Sequence, residues 1–170
     1  MLRQRVVVLM GSKKDLDFAT SIGRVLERFG IKYEYRVASA HKTPRELLKI
    51  LEECEPLGIR IVYITIAGMS NALSGLVDAN TKCPVIACPP IEKLDVDVYS
   101  SLRMPSGVAP LVVLNPENAA LAAAKILGLE NPSISESVFQ FQSEKRKEVN
   151  NADNEVKGKK PSDLEKEAKR

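Results

Sequence analysis

The sequence predicts an α/β fold: a parallel sheet with helices on both faces. Three observations carry that prediction. Short apolar runs rich in β-branched residues alternate with stretches of helical periodicity. The first run, RVVVLM at 5–10, is almost continuously apolar, which suits a strand buried on both faces rather than one that faces water. Helix start and stop residues separate the runs, so each strand is followed by a helix. Strands joined by helices lie parallel, because each crossover returns the chain to the same end of the sheet. The expected strand order is 2-1-3-4-5.

The elements follow in chain order. After the strand at 5–10, Leu16, Ile22, Val25, Leu26 and Phe29 recur near helical spacing, and Gly30 supplies the stop. A second strand is expected at 32–38. Thr43-Pro44-Arg45-Glu46 then reads as a helix start: Thr as cap, Pro at the first helical position and Glu reaching back in a capping box. Leu47, Ile50, Leu51 and Cys54 form the buried stripe of that helix. A third strand covers 60–66, a fourth covers 84–88 and is ended by Pro89-Pro90, and a fifth covers 111–114. Asn115-Pro116 opens an alanine-rich helix that stops at Gly128. Beyond Pro132, Val138, Phe139 and Phe141 are expected to anchor a last helix. The division expected is one domain over 1–143, including the start of that helix, and a charged tail over 144–170 that is helical to disordered, with 150–170 loosest.

Composition narrows the function. A chain of 170 residues with 44% apolar and 28% charged side chains is an ordinary globular protein. The net charge of +3, 5% aromatics and absence of Trp argue against nucleic acid as a partner. No apolar run approaches the roughly 20 residues that span a bilayer, so no membrane association is expected. Three cysteines without a C-x-x-C spacing argue against a disulfide framework or a zinc site and fit a cytoplasmic protein.

In an open parallel sheet, ligands bind beyond the carboxyl ends of the strands. That rule selects the loops at 11–15, 39–44, 67–75 and 89–107. In MGSKKD, Gly11 allows a tight turn and Ser12 starts a helix whose free amides favour an anion, with Asp15 in its first turn. Helix capping by Ser12 and Asp15 is an equally simple account, and the two are compatible. SAHKTP holds Ser39, the single histidine His41 and Lys42. An imidazole titrates near neutrality and moves a proton in either direction, and Lys42 offers a cation to a phosphate or carboxylate. A structural histidine and a solvated lysine are the alternatives. IAGMSNALSG places Gly68, Ser70, Asn71, Ser74 and Gly75 where backbone closely approaches a ligand, or where Ser70 or Asn71 simply caps a helix. Pro89-Pro90 admits a cis bond, and Arg103, Pro105 and Gly107 form a rigid turn.

Taken together, VVVLMGSKKD, SAHKTP, IAGMSNALSG, VIACPP and SSLRMPSG, in this order and spacing, resemble the aminoimidazole ribonucleotide (AIR) carboxylases of purine biosynthesis. The match covers residues 5 to 130. Lysine in SAHK and the lack of a second histidine in the third loop resemble the class that uses free carbon dioxide, rather than the mutase class with SAHRTP and AAHLPGM. The resemblance implies a three-layer α-β-α sandwich with a flavodoxin-like sheet and a C-terminal helix. It implies a stand-alone carboxylase, assembled as an octamer with active sites between subunits, and needing no ATP, biotin or metal. His41 matches the catalytic histidine. Ser12, Asp15 and Lys42 match contacts to the ribose-phosphate, Ser70 matches the contact to carbon dioxide with Asn71 and nearby amides to polarise its oxygens, and Gly11, Ser39 and Gly68 are expected to bind substrate with them. The chain departs from the family twice: Lys14 stands where G-S-x-S-D has its second serine, and Met69 where AGRSN has arginine. Those departures motivate a second reading, a nucleotide-sensing module without turnover, beside the family's other class, a mutase acting on the carbamate isomer.

Overall fold

The computed structural model describes residues 3–56, 58–90, 96–161 and 163. Five parallel strands form one sheet in the order β2-β1-β3-β4-β5: β1 Arg3–Met10, β2 Lys32–Val37, β3 Ile59–Ile66, β4 Val85–Ala87 and β5 Leu111–Val112. Six α-helices join or follow them: α1 Leu16–Arg28, α2 Pro44–Cys54, α3 Ala72–Asp78, α4 Tyr99–Leu102, α5 Pro116–Gly128 and α6 Pro132–Val156. The predicted fold class and strand order both hold.

Alternation along β1 and β3 divides the core in two, because successive side chains of a strand point to opposite faces. Val6, Val8, Met10, Val62, Ile64 and Ile66 face α1, α5 and α6. Val7, Leu9, Ile61 and Tyr63 face α2 and α3. Every one of these is at most 3% exposed, so both faces of the central strands are covered. The buried stripe of α2 is the predicted one, Leu47, Ile50, Leu51 and Cys54. On the other face α5 presents Ala119, Ala120, Ala123 and Ala124, whose small side chains let it lie close to the sheet. Helix α1 approaches β2 closely for a related reason. A Cβ at Gly23 would meet the Tyr35 hydroxyl at 2.0 Å and the Tyr33 ring at 3.0 Å, so glycine makes room for both tyrosines.

Several local expectations are corrected. Leu16 is 38% exposed, because a 3₁₀ turn at Lys13–Asp15 precedes α1 and rotates its first residue outward. The capping box at α2 does not form: Thr43 makes no side-chain cap bond to the helix, since its Oγ1 accepts from Ser39 N at 3.0 Å and donates to Ser39 O at 3.3 Å. Strand β5 is only two residues long and β4 three. No peptide bond at Pro89 or Pro90 is cis. Helix α6 runs unbroken through 143 to Val156, so 150–156 is regular helix, while 164–170 lies outside the described residues. Its anchors are Ile134, Val138 and Phe141, with Phe141 edge-on to Phe29 at 5.5 Å between centroids and beneath the Arg28 guanidinium at 4.7 Å. Phe139 points the other way and is exposed. Among the described residues no helix is long and apolar enough to cross a membrane.

Candidate active site

The carboxyl ends of β2, β1 and β3 are laced together by backbone. Ala38 N donates to Met10 O at 3.0 Å, and Gly11 N donates to Ile66 O at 2.9 Å. The three loops that follow therefore leave the sheet side by side.

After β1, Ser12 caps the 3₁₀ turn: its hydroxyl accepts from Lys14 N at 3.2 Å. Its proton stays available to donate. Asp15 is 6% exposed at the N-cap position of α1, a buried carboxylate rather than a surface one. Lys13 and Lys14 are exposed. After β2, Ser39 and Thr43 close a tight loop. Thr43 N donates to Ser39 O at 2.9 Å, and Lys42 N donates to the Ser39 hydroxyl at 3.3 Å. His41 and Lys42 sit on this loop with exposed side chains. The histidine is thus on the ligand-facing end of the sheet and outside the core, which removes the reading of it as a buried structural residue.

The loop after β3 is the most constrained. Ser70 has φ of +37°, the only positive value for a non-glycine among the described residues. The left-handed region costs a residue with a Cβ about 1 kcal/mol or more, so the surroundings must hold it. Asn71 follows with φ −70° and ψ 61°, the centre of an inverse γ-turn that Ala72 N closes onto Ser70 O at 2.6 Å. The Asn71 side chain then caps α3, as one of the sequence alternatives expects. Its Oδ1 accepts from Ser74 N at 3.1 Å and from the Ser74 hydroxyl at 2.8 Å. Thr65 Oγ1 lies 2.7 Å from the same hydroxyl, beneath the loop. On the other side, Asn71 N donates to Ser100 Oγ at 2.7 Å and Asn71 Nδ2 donates to Ser101 Oγ at 2.8 Å. Thr65, Asn71, Ser74 and Ser101 are all buried, so these bonds work without competition from water.

This network ties the 67–71 loop to α4, and a small cavity lies between them. Gly68, Ser70 and Asn71 line it together with Met69, Pro89, Asp97 and Ser101. Its volume is about 10 Å³, room for one water-sized molecule. Gly11, Ser12, Asp15, Ser39, His41 and Lys42 share the same end of the sheet but do not line the cavity. Met69 is 78% exposed at its rim. Cys88, just beyond β4, is fully buried, and burial pushes its thiol up to about 12; it is no nucleophile at neutral pH. Cys54, Cys83 and Cys88 are all free. Among the described residues no three His, Cys, Asp or Glu side chains are grouped to hold a metal ion.

Arg103, Pro105 and Gly107 lie in SSLRMPSG. Pro105 and Gly107 do form a turn, with Val108 N bonded to Pro105 O at 3.2 Å and Gly107 at φ +88°. None of the three lines the cavity; Ser101, two residues before Arg103, does. The available signal was the Ser100-Ser101 pair at the head of that motif.

Comparison with known proteins identifies the family. The AIR carboxylase family profile matches residues 5–148. A phosphoribosylaminoimidazole carboxylase of Archaeoglobus fulgidus is 52% identical, over 90% of this chain and 85% of the relative. The mouse bifunctional phosphoribosylaminoimidazole carboxylase/phosphoribosylaminoimidazole succinocarboxamide synthetase is 49% identical over 75% of this chain, a stretch that makes up 30% of that protein. The crystal structure of Treponema denticola PurE superposes with a TM-score of 0.88 at 45% identity, covering 91% of this chain and 99% of that one. A family match over most of its length and a relative 52% identical over 90% of it show that the chain belongs to the AIR carboxylases.

Proposed function

We propose that this chain carboxylates AIR with carbon dioxide, reversibly, to the 4-carboxy ribonucleotide, as a step of purine biosynthesis. The observation that carries the reading is the cavity beside Ser70. At about 10 Å³ it is on the scale of one small molecule and far too small for the nucleotide, and it opens on the sheet end that holds the only histidine.

The chemistry balances without a further reagent. The aminoimidazole is electron-rich, and its ring carbon C4 supplies the electron pair that forms the new bond to the carbon of carbon dioxide. One carbon–oxygen π pair moves onto oxygen and becomes the carboxylate. C4 then carries both a hydrogen and the carboxylate. Loss of that proton returns its electron pair to the ring and restores aromaticity. Neutral His41 takes the proton, and in reverse the imidazolium returns it to C4 as carbon dioxide leaves. Because the nucleophile is already activated and carbon dioxide is already electrophilic, ATP, biotin and metal have no step to serve.

The ribonucleotide lies over the open loops after β1 and β2. Ser12 donates its hydroxyl to the phosphate alongside the amides near Gly11. Asp15 accepts from ribose hydroxyls, and Lys42, held on the Ser39 loop, supplies a cation. Gly68 gives the backbone close access, and Ser70 contacts carbon dioxide. Met69 leaves that rim without a cation. Asn71 serves by shaping the loop, since its side chain is engaged on both sides. The working form is a homo-oligomer, an octamer, in the cytoplasm.

The test is turnover of AIR and bicarbonate by the wild type and His41→Asn, with ribonucleotide binding measured in parallel. Loss of a general acid–base group lowers turnover by about 10²–10⁴-fold, with binding kept. Unchanged rates in the variant would assign the proton to another group.

A further inference from the structure

We propose that Ser101 is a further substrate-binding residue: its hydroxyl donates to an oxygen of the carbon dioxide in the cavity, and Asn71 orients it. The proposal rests on the carboxylase reading and adds a contact to it.

Three observations lead there. Ser101 lines the cavity and is 2% exposed, so its hydroxyl faces the cavity or protein rather than bulk water. Its oxygen accepts the Asn71 Nδ2–H at 2.8 Å, which uses a lone pair and leaves the proton to be placed. Among the described residues that proton has no acceptor. The carbonyl one helical turn back, Asp97 O, accepts the Ser100 hydroxyl at 2.6 Å and forms no bond with the Ser101 hydroxyl. A buried hydroxyl proton without an acceptor is unusual, because leaving it unmade costs the desolvation of the group. An oxygen of carbon dioxide in the cavity would accept it.

The donor is also oriented in advance. Asn71 cannot turn its amide over without losing Ser74, because Oδ1 accepts both the Ser74 amide and hydroxyl while Nδ2 serves Ser101. The serine oxygen therefore always meets a donor from Asn71, and its own proton must go elsewhere. As C4 attacks, negative charge grows on the oxygens of carbon dioxide, and a prealigned donor gains strength as the charge develops.

The experiment measures KM for carbon dioxide and KM for AIR separately, together with the thermal unfolding midpoint, in wild type, Ser101→Ala and Ser101→Thr. Loss of one donor predicts a rise of about tenfold or more in KM for carbon dioxide in the alanine variant, with KM for AIR within about twofold. Ser101→Thr keeps the hydroxyl and stays near wild type. A merely structural role would lower the unfolding midpoint and move both KM values together. An unchanged KM for carbon dioxide, a joint rise of both values, or a threonine variant as impaired as alanine overturns the proposal. Wild type without activity on AIR overturns the carboxylase reading and this proposal with it; an active wild type with any of the other outcomes overturns the serine's role alone.

Discussion

The two ends of the sheet differ in a way that volume alone would misjudge. At the amino ends of the strands a groove of about 1140 Å³ runs between β1, β2 and the start of α6; at the carboxyl ends the cavity beside Ser70 is about 10 Å³. Several groups that line the larger space are tied into structural bonds, with Arg5 Nε buried and unbonded among them. Arg5 donates to Cys54 O and pairs with Glu34 at 3.6 Å, and Arg28 pairs with Glu144. Tyr33 donates to Glu27, and Gln4 accepts from Asn131 while donating to Leu127 O. These bonds hold the start of the sheet against α1, α5 and α6. The smaller space is lined by a left-handed serine and a serine hydroxyl with its proton unassigned, beside loops that expose a histidine and a lysine. Backbone strain beside an exposed histidine and lysine distinguishes the working end from the structural one.

That contrast can be broken or sharpened by substitution. Asn71→Ala strips the helix cap and leaves several buried partners of the side chain without a bond. It should cost about 2–4 kcal/mol of stability, read from urea unfolding. A loss below about 1 kcal/mol would show that the network does not hold the loop.

Buried Cys88 offers a pH test. Its thiol is pushed up to about 12 in the folded chain by burial, whereas an unfolded thiol titrates near 8.5. Between those values the unfolded chain binds fewer protons than the folded one, so stability falls as pH rises through that window. From pH 8.5 to 10 this one group predicts a loss of about 1–2 kcal/mol, and Cys88→Ala should flatten the slope. An equal slope in the variant would place the pH dependence elsewhere.

At the amino end, Arg60→Ala removes the exposed Arg60–Glu130 pair, 2.9 Å apart, and should cost at most about 1 kcal/mol, with turnover unchanged. Altered turnover would mean that the two ends are coupled. Smallest in its effect on folding is Met69→Arg. The side chain is 78% exposed, so stability should stay within about 0.5 kcal/mol, while the restored cation lowers KM for AIR. An unchanged KM would mean that the missing arginine is not a nucleotide contact in this chain.

How much of this was legible in the sequence follows from the range of each interaction. The faces of β1 and the stripe of α2 depend on residues two to four positions apart, and those patterns were readable. So were the Asn115-Pro116 start of α5 and the Gly30 stop after α1. The α2 capping box failed because Ser39, four residues before Thr43, competes for its hydroxyl. The link from Asn71 to Ser100 and Ser101 spans about thirty positions, and no local pattern announces it. The cavity depends on that link, so its presence emerged only from the fold. Placement of His41 on the working end needed only the rule for parallel sheets.

The central claim is that the cavity beside Ser70 and the histidine on the same end of the sheet make this chain a user of carbon dioxide. The most direct measurement offers the wild type AIR with bicarbonate and, in parallel, the carbamate isomer of the product, and follows formation of the 4-carboxy ribonucleotide. The account predicts turnover of AIR and none of the isomer. Turnover of the isomer alone would make the protein a mutase, and binding without turnover of either would make it a sensor; each contradicts the account.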